Sequence, residues 1–93
     1  MKQYAIIFTP EAEADLLKLR KAGDKQSLKK IAKFIEELKV HPKTGTGHPE
    51  QMKYFDGIRW SRHISDKHRL VYDIFEDIVS IEVIQTWGHY DDK

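Results

Sequence analysis

The sequence predicts one α+β domain, an N-terminal strand and a two-helix hairpin packed on one face of a mainly antiparallel sheet of four to five strands. Three observations carry that expectation. Apolar residues recur with helical spacing between Pro10 and Leu38, they switch to a period of two from Ile58 onward, and the later runs are joined by very short connections. A chain of 93 residues makes a single domain, residues 1–93, and at that size folding buries only about 60–65% of the unfolded surface. Every apolar stripe is therefore needed for one core.

Tyr4-Ala5-Ile6-Ile7-Phe8 is aromatic and β-branched and reads as a short buried strand. Thr9-Pro10 opens a helix, because threonine suits the N-cap and proline the first helical position. Glu11, Glu13 and Asp15 follow where carboxylates favour the positive end of the helix dipole, and Ala12, Leu16 and Leu19 form its apolar stripe. Gly23 breaks the helix and Asp24 caps the next one. In that second helix Leu28, Ile31, Ile35 and Leu38 share a face, with Ala32 and Phe34 at its edge. His41-Pro42 ends it, since the residue before proline is pushed out of the helical region. Residues 43–50 form a loop with two glycines and a proline.

After this loop come Ile58–Ile64, His68–Phe75 and Ile78–Thr86, three alternating or β-rich runs that make an antiparallel meander. A three-residue loop at Ser65–Lys67 sets the register: Ile64 faces His68, and the pairs run His63/Arg69, Arg62/Leu70, Ser61/Val71 and Trp60/Tyr72. One face then carries Ile58, Trp60, Leu70, Tyr72 and Ile74. The other carries Arg59, Ser61, His63, Arg69 and Asp73. A two-residue turn at Glu76-Asp77 adds Val79, Ile81 and Val83 to the first face and Ser80 and Glu82 to the second. The helices are expected to cover the first face and leave the second open, with Arg69 at its middle.

There is no cysteine, which excludes a disulfide or thiolate-metal framework, and the apolar run at the N-terminus is too short for a signal peptide or a membrane span. A cytoplasmic protein without a membrane partner is expected. Net charge is +1, but between residues 41 and 72 Lys43, Lys53, Arg59, Arg62, Lys67, Arg69 and four histidines face only Glu50, Asp56 and Asp66. Such a zone suits a phosphate backbone, and it is equally what a solvated surface looks like. Lys53, Arg59, Arg62 and His63 are its candidate RNA-binding residues.

Glu50, His63, Arg69, His89 and Tyr90 are the groups able to do acid–base or phosphate chemistry. Cleaving RNA without a metal needs a base for the 2′-hydroxyl, a cation for the phosphate and an acid for the departing 5′-oxygen; carboxylate, arginine and histidine can fill those roles.

Gly45-Thr-Gly-His-Pro-Glu50, Trp60-Ser-Arg-His-Ile64, His68-Arg-Leu-Val-Tyr72 and the closing His89-Tyr90 together resemble the Txe/YoeB family, mRNA-cleaving toxins of the RelE superfamily. The resemblance runs over nearly the whole chain. It implies a RelE-like fold and the toxin of a type II toxin–antitoxin module. The implied partners are mRNA in the A site of the 70S ribosome, a Phd/YefM-type antitoxin, and a second copy of the chain in a homodimer. By motif position Glu50 matches the family's general base, Arg69 its phosphate-stabilising arginine, His89 its general acid and Tyr90 the tyrosine beside it. Family members often carry a second arginine where His63 stands, and here Asp91-Asp92-Lys93 follow the last motif.

Other readings stay open on the residues alone. Glu50 can be a loop carboxylate, Arg69 can pair with Asp73 or Glu82 across the sheet, and His89-Tyr90 can be a frayed end. Five histidines raise the question of zinc, but His63 and His68 face opposite sides of their hairpin and no close-spaced ligand pair stands out, so no metal or other cofactor is expected. The competing function is a ParE-like inhibitor that acts by binding DNA gyrase, which needs no base, phosphate clamp or acid.

Overall fold

The computed structural model describes residues 3–53 and 55–88. The elements follow one another as β1 (Ala5–Phe8), α1 (Pro10–Lys21), α2 (Lys25–Leu38), β2 (Glu50–Gln51), β3 (Arg59–His63), β4 (Arg69–Phe75), a single 3-10 turn (Glu76–Ile78) and β5 (Ser80–Gln85). The five strands lie in the order β1-β5-β4-β3-β2. All neighbours are antiparallel except β1 and β5, which run parallel, with both helices and strands β2 to β4 lying between them in the chain.

Local chemistry sets the boundaries. The Thr9 hydroxyl accepts from the Ala12 N–H at 3.1 Å, with Pro10 at the start of α1. Asp24 accepts from the Ser27 N–H at 3.1 Å and from the Ser27 hydroxyl at 2.8 Å, capping α2. These hydrogen bonds hold the Asp24 carboxyl below its usual value. Ala12 and Leu19 of α1 and Ile31, Phe34 and Leu38 of α2 meet Ile64, Leu70, Tyr72, Ile74, Ile81 and Val83 of the sheet in one core. The register of β3 on β4 is the expected one, from His63/Arg69 to Trp60/Tyr72.

The structure departs from expectation in several places, one of them Ile58, which was expected on the core face and is exposed. β1 is an edge strand: Ala5 and Ile7 are exposed and only Ile6 and Phe8 pack inward, because a run of five apolar residues gives no alternation to show which face is covered. The buried stripe of α2 is Ser27, Ile31, Phe34 and Leu38, with Leu28 and Ile35 on its flank and Ala32 exposed. The Phe34 ring, larger than either flanking side chain, fills the centre. The expected turn at Glu76-Asp77 is longer, a 3-10 turn that ends on Val79 at φ +50°, so Val79 belongs to the turn rather than to the core face. Finally, the second face of the sheet is not bare: Met52, Ser61, Val71 and Asp73 are buried on it. Residues following β2 fold back there, with Met52 N–H donating to the Arg59 carbonyl at 2.9 Å and the Phe55 ring lying 4.3 Å from the Arg59 guanidinium carbon. Among the described residues no helix is long and apolar enough to cross a membrane.

Candidate functional site

Glu50 owes its place to β2, whose two residues pair with Ser61 and Trp60 of β3 at the edge of the sheet. Ser61 in turn pairs with Val71, and His63 with Arg69. Side chains two residues apart on a strand share a face, so Glu50, Ser61, His63 and Arg69 all rise from the same side. With strands about 4.8 Å apart and a rise of about 3.3 Å per residue, the Cα atoms of Glu50 and Arg69 are roughly 12 Å apart, and His63 stands between them. A carboxylate and a guanidinium reaching inward from that spacing can flank one phosphate.

The loop before Glu50 is held by a buried arginine. Arg62 is fully buried and projects to the core side. Its terminal nitrogens donate to Glu37 Oε1 at 2.6 Å and to the carbonyls of His41 and Thr44 at 2.8 Å and Thr46 at 3.2 Å, while its Nε reaches the Tyr72 hydroxyl at 3.3 Å. Burial would raise the Glu37 carboxyl, but hydrogen bonds from Thr46 and Arg62 outweigh it and hold the group below its usual value. Burial lifts the Tyr72 hydroxyl, which stays protonated and donates to the Pro42 carbonyl at 2.6 Å. Arg62 is therefore no RNA-binding residue. The alternation that turns Leu70 and Tyr72 inward turns Arg62 inward too, and its guanidinium is used up on loop carbonyls.

Two glycines let the loop come this close. A Cβ on Gly45 would collide with Glu37 Oε1, and one on Gly47 would lie 2.6 Å from the Phe34 ring; both residues have positive φ. The Gly47 carbonyl accepts from the His63 N–H at 2.7 Å, which extends the sheet ladder by one rung past Glu50. His48 follows at φ +53° and is exposed, its ring edge-on to His63 at 6.4 Å. Gly45–Glu50 and His63 line an open depression of about 750 Å³.

Arg59, expected to contact RNA, forms a two-point ion pair with Asp73, Nε to Oδ1 at 2.7 Å and the terminal nitrogen to Oδ2 at 3.0 Å. That pairing removes the carboxylate which the sequence offered to Arg69. Arg69 has no ion pair among the described residues, and its Nε is buried without a hydrogen-bond partner. Lys53 is exposed just beyond β2.

His68, given no role by the sequence beyond its place in the turn, ties down the end of the chain that follows β5. Its Nδ1 accepts from the Gly88 N–H at 2.8 Å, its ring packs at 4.6 Å against Trp87, and the Gly88 carbonyl accepts from the Arg69 N–H at 3.0 Å. The chain thus departs from Gly88 directly beside Arg69. His89 and Tyr90 lie outside the described residues. Among the described residues no three His, Cys, Asp or Glu are grouped so as to hold a metal ion.

A family profile described as the YoeB-like toxin of bacterial type II toxin–antitoxin systems matches residues 8–90. Toxin YoeB of Escherichia coli K12 is 36% identical over 76 residues, covering 82% of this chain and 89% of that protein. The solved YoeB/ParE toxin of Agrobacterium tumefaciens superposes with a TM-score of 0.83 at 31% identity, covering 92% of this chain and 99% of that one. The YoeB dimer of Staphylococcus aureus gives 0.80 at 29% identity over 95% and 99%. The heterotetrameric YoeB-YefM complex from the same organism gives 0.76 at 29% identity over the same shares.

Proposed function

The chain belongs to the YoeB-like toxins of bacterial type II toxin–antitoxin systems, and from that membership and the geometry above we propose that it is an endoribonuclease. Glu50 takes the proton of a ribose 2′-hydroxyl. The 2′-oxygen attacks the adjacent phosphorus, Arg69 neutralises the charge that gathers on the phosphate oxygens, and the bond to the 5′-oxygen breaks as His89 protonates it. Tyr90 stands beside the acid. The upstream fragment ends in a 2′,3′-cyclic phosphate, which water can open to a 3′-phosphate. The 2′-hydroxyl makes the reaction specific for RNA, and no step calls for a metal.

The observation that carries this reading is Arg69, a cation on the same face as Glu50 and without an ion pair among the described residues, with Asp73 committed elsewhere. Arginine left uncompensated in a half-buried setting costs stability, and a site that receives a phosphate accounts for it. Messenger RNA in the ribosomal A site is the proposed substrate, with Lys53 and His63 flanking it. A YefM-type antitoxin and a second copy of the chain are the proposed protein partners, by analogy with the Staphylococcus aureus YoeB-YefM complex and YoeB dimer.

Incubation with a translating extract, followed by primer extension on the message, tests the proposal. Discrete stops with the parent protein and none with Glu50→Gln are expected. Unbroken message together with inhibition of purified DNA gyrase would replace it with the ParE-like reading.

A further inference from the structure

The depression beside Glu50 does not end at His63. A second one, of about 220 Å³, is lined by Lys30, Lys33, Phe34, Thr46, Gly47 and His63. The two share Thr46, Gly47 and His63, so together they form a trough that runs from Glu50 over the loop onto the exposed side of α2. Among the described residues lining it Glu50 is the only acid, and it sits at one end. At the other end Lys30 donates to the Ile64 carbonyl at 3.0 Å, whereas Lys33 forms no hydrogen bond or ion pair among the described residues. Midway stand the exposed side chains of His48 and His63, their rings edge-on with centroids 6.4 Å apart. Gly47 forms the floor there, and any side chain at that position would be blocked by Phe34.

We infer that this trough is a binding track for single-stranded RNA outside the catalytic residues, with bases stacking on His48 and His63 and Lys33 taking a backbone phosphate. The inference rests on the nuclease reading of Glu50 and Arg69, and extends it from the reacting phosphate to the strand beyond. The chemistry is that of single-strand recognition generally: flat rings for bases, which all have a stacking face, and an ammonium for a phosphate. A merely solvated lysine face would not be joined to the carboxylate by a continuous concavity floored by a glycine. An acidic peptide would use Lys33 but has no need of two exposed imidazole planes.

Fluorescence anisotropy with a labelled, fully 2′-O-methylated oligonucleotide, which cannot be cut, separates binding from cleavage. Lys33→Ala and His48→Ala are each expected to weaken binding several-fold, with thermal midpoints unchanged. Lys33→Ala should also lower the slope of log affinity against log salt by about 0.7, one phosphate contact on a single strand. Lys21→Ala, on α1 and outside the trough, should bind like the parent. Parental affinity in both trough variants, or equal weakening by Lys21→Ala, overturns the track. So does loss of antitoxin binding without loss of RNA binding, which would make the trough a peptide site. Failure of the nuclease reading looks different: the trough variants still change RNA affinity while the parent leaves message in a translating extract intact.

Discussion

Arg59 gives its Nε and a terminal nitrogen to Asp73, and this pairing leaves Arg69, four residues before Asp73 on the same face of β4, without a counter-charge among the described residues. A third arginine, Arg62, is buried on the opposite side in a cage of carbonyls and one carboxylate. The same residue type thus serves as a half-buried clasp, a proposed phosphate clamp and an internal brace, depending on what faces it. Arg69→Ala should cut cleavage by about 10²–10³-fold, since it removes a group acting on the transition-state charge, and should leave urea unfolding close to the parent's. Cleavage at the parental rate would remove Arg69 from the mechanism. Arg62→Met should do the opposite, costing about 3–5 kcal/mol in urea unfolding, because Glu37 and several loop acceptors lose a buried partner together. A loss under about 1 kcal/mol would mean the loop can satisfy those groups from solvent. The sequence reading sets Arg62 opposite Leu70 and still expects it to bind RNA. What it could not show was the partner, because Glu37 lies on a different element and the loop carbonyls have no side-chain signature.

The hairpin of β3 and β4 was legible because a three-residue turn and a period of two leave one register that buries Leu70 and Tyr72 together. The other elements were less so where side-chain size or backbone geometry decided the outcome. Phe34 recentred the face of α2, and a register shift at Val71/Tyr72, which pairs Gln85 with Val71 and Val83 with Tyr72, turned the end of β5. That shift precedes Thr86, whose N–H reaches Asp15 of α1 at 3.1 Å, and Trp87, which packs on the core. Between α2 and β2, Glu37 joins helix to loop through Arg62 and Thr46. A carboxyl held below its unfolded value lends stability that is present above that value and is lost as pH falls through the folded one. The parental thermal midpoint should therefore fall as pH is lowered beneath about 4.3, the ordinary glutamate value. Glu37→Gln should start lower at neutral pH and fall less steeply, Asp24 still contributing its own share. Parallel curves for the two proteins would show that Glu37 is not the linked group.

For the molecule as a whole, the sheet order brings the last strand into contact with both the first strand and β4, so β5 leads to Gly88 from inside the sheet rather than from its rim. Composition and periodicity gave the meander and the helical layer. The parallel contact of β1 with β5 joins strands far apart in the chain and leaves no local trace. The placement of Glu50 and Arg69 on one face follows from strand order and register. The placement of Gly88 rests on His68, whose ring nitrogen has no sequence signal for such a role. Because Gly88 is fastened on both sides to His68 and Arg69, removing residues 89–93 should leave the fold intact. The family match ends at residue 90, which separates those five residues into a matched pair and an unmatched three. A protein lacking residues 89–93 should unfold at the parental temperature and bind a YefM-type antitoxin, yet cleave message about 10²–10⁴-fold more slowly, the usual consequence of losing a general acid. A protein lacking only residues 91–93 should cleave at least as fast as the parent, since two negative charges next to His89-Tyr90 in sequence are removed. Primer extension on both truncations reads the difference. Equal cleavage by the two would strip His89 of its role and leave the departing oxygen to take its proton from water.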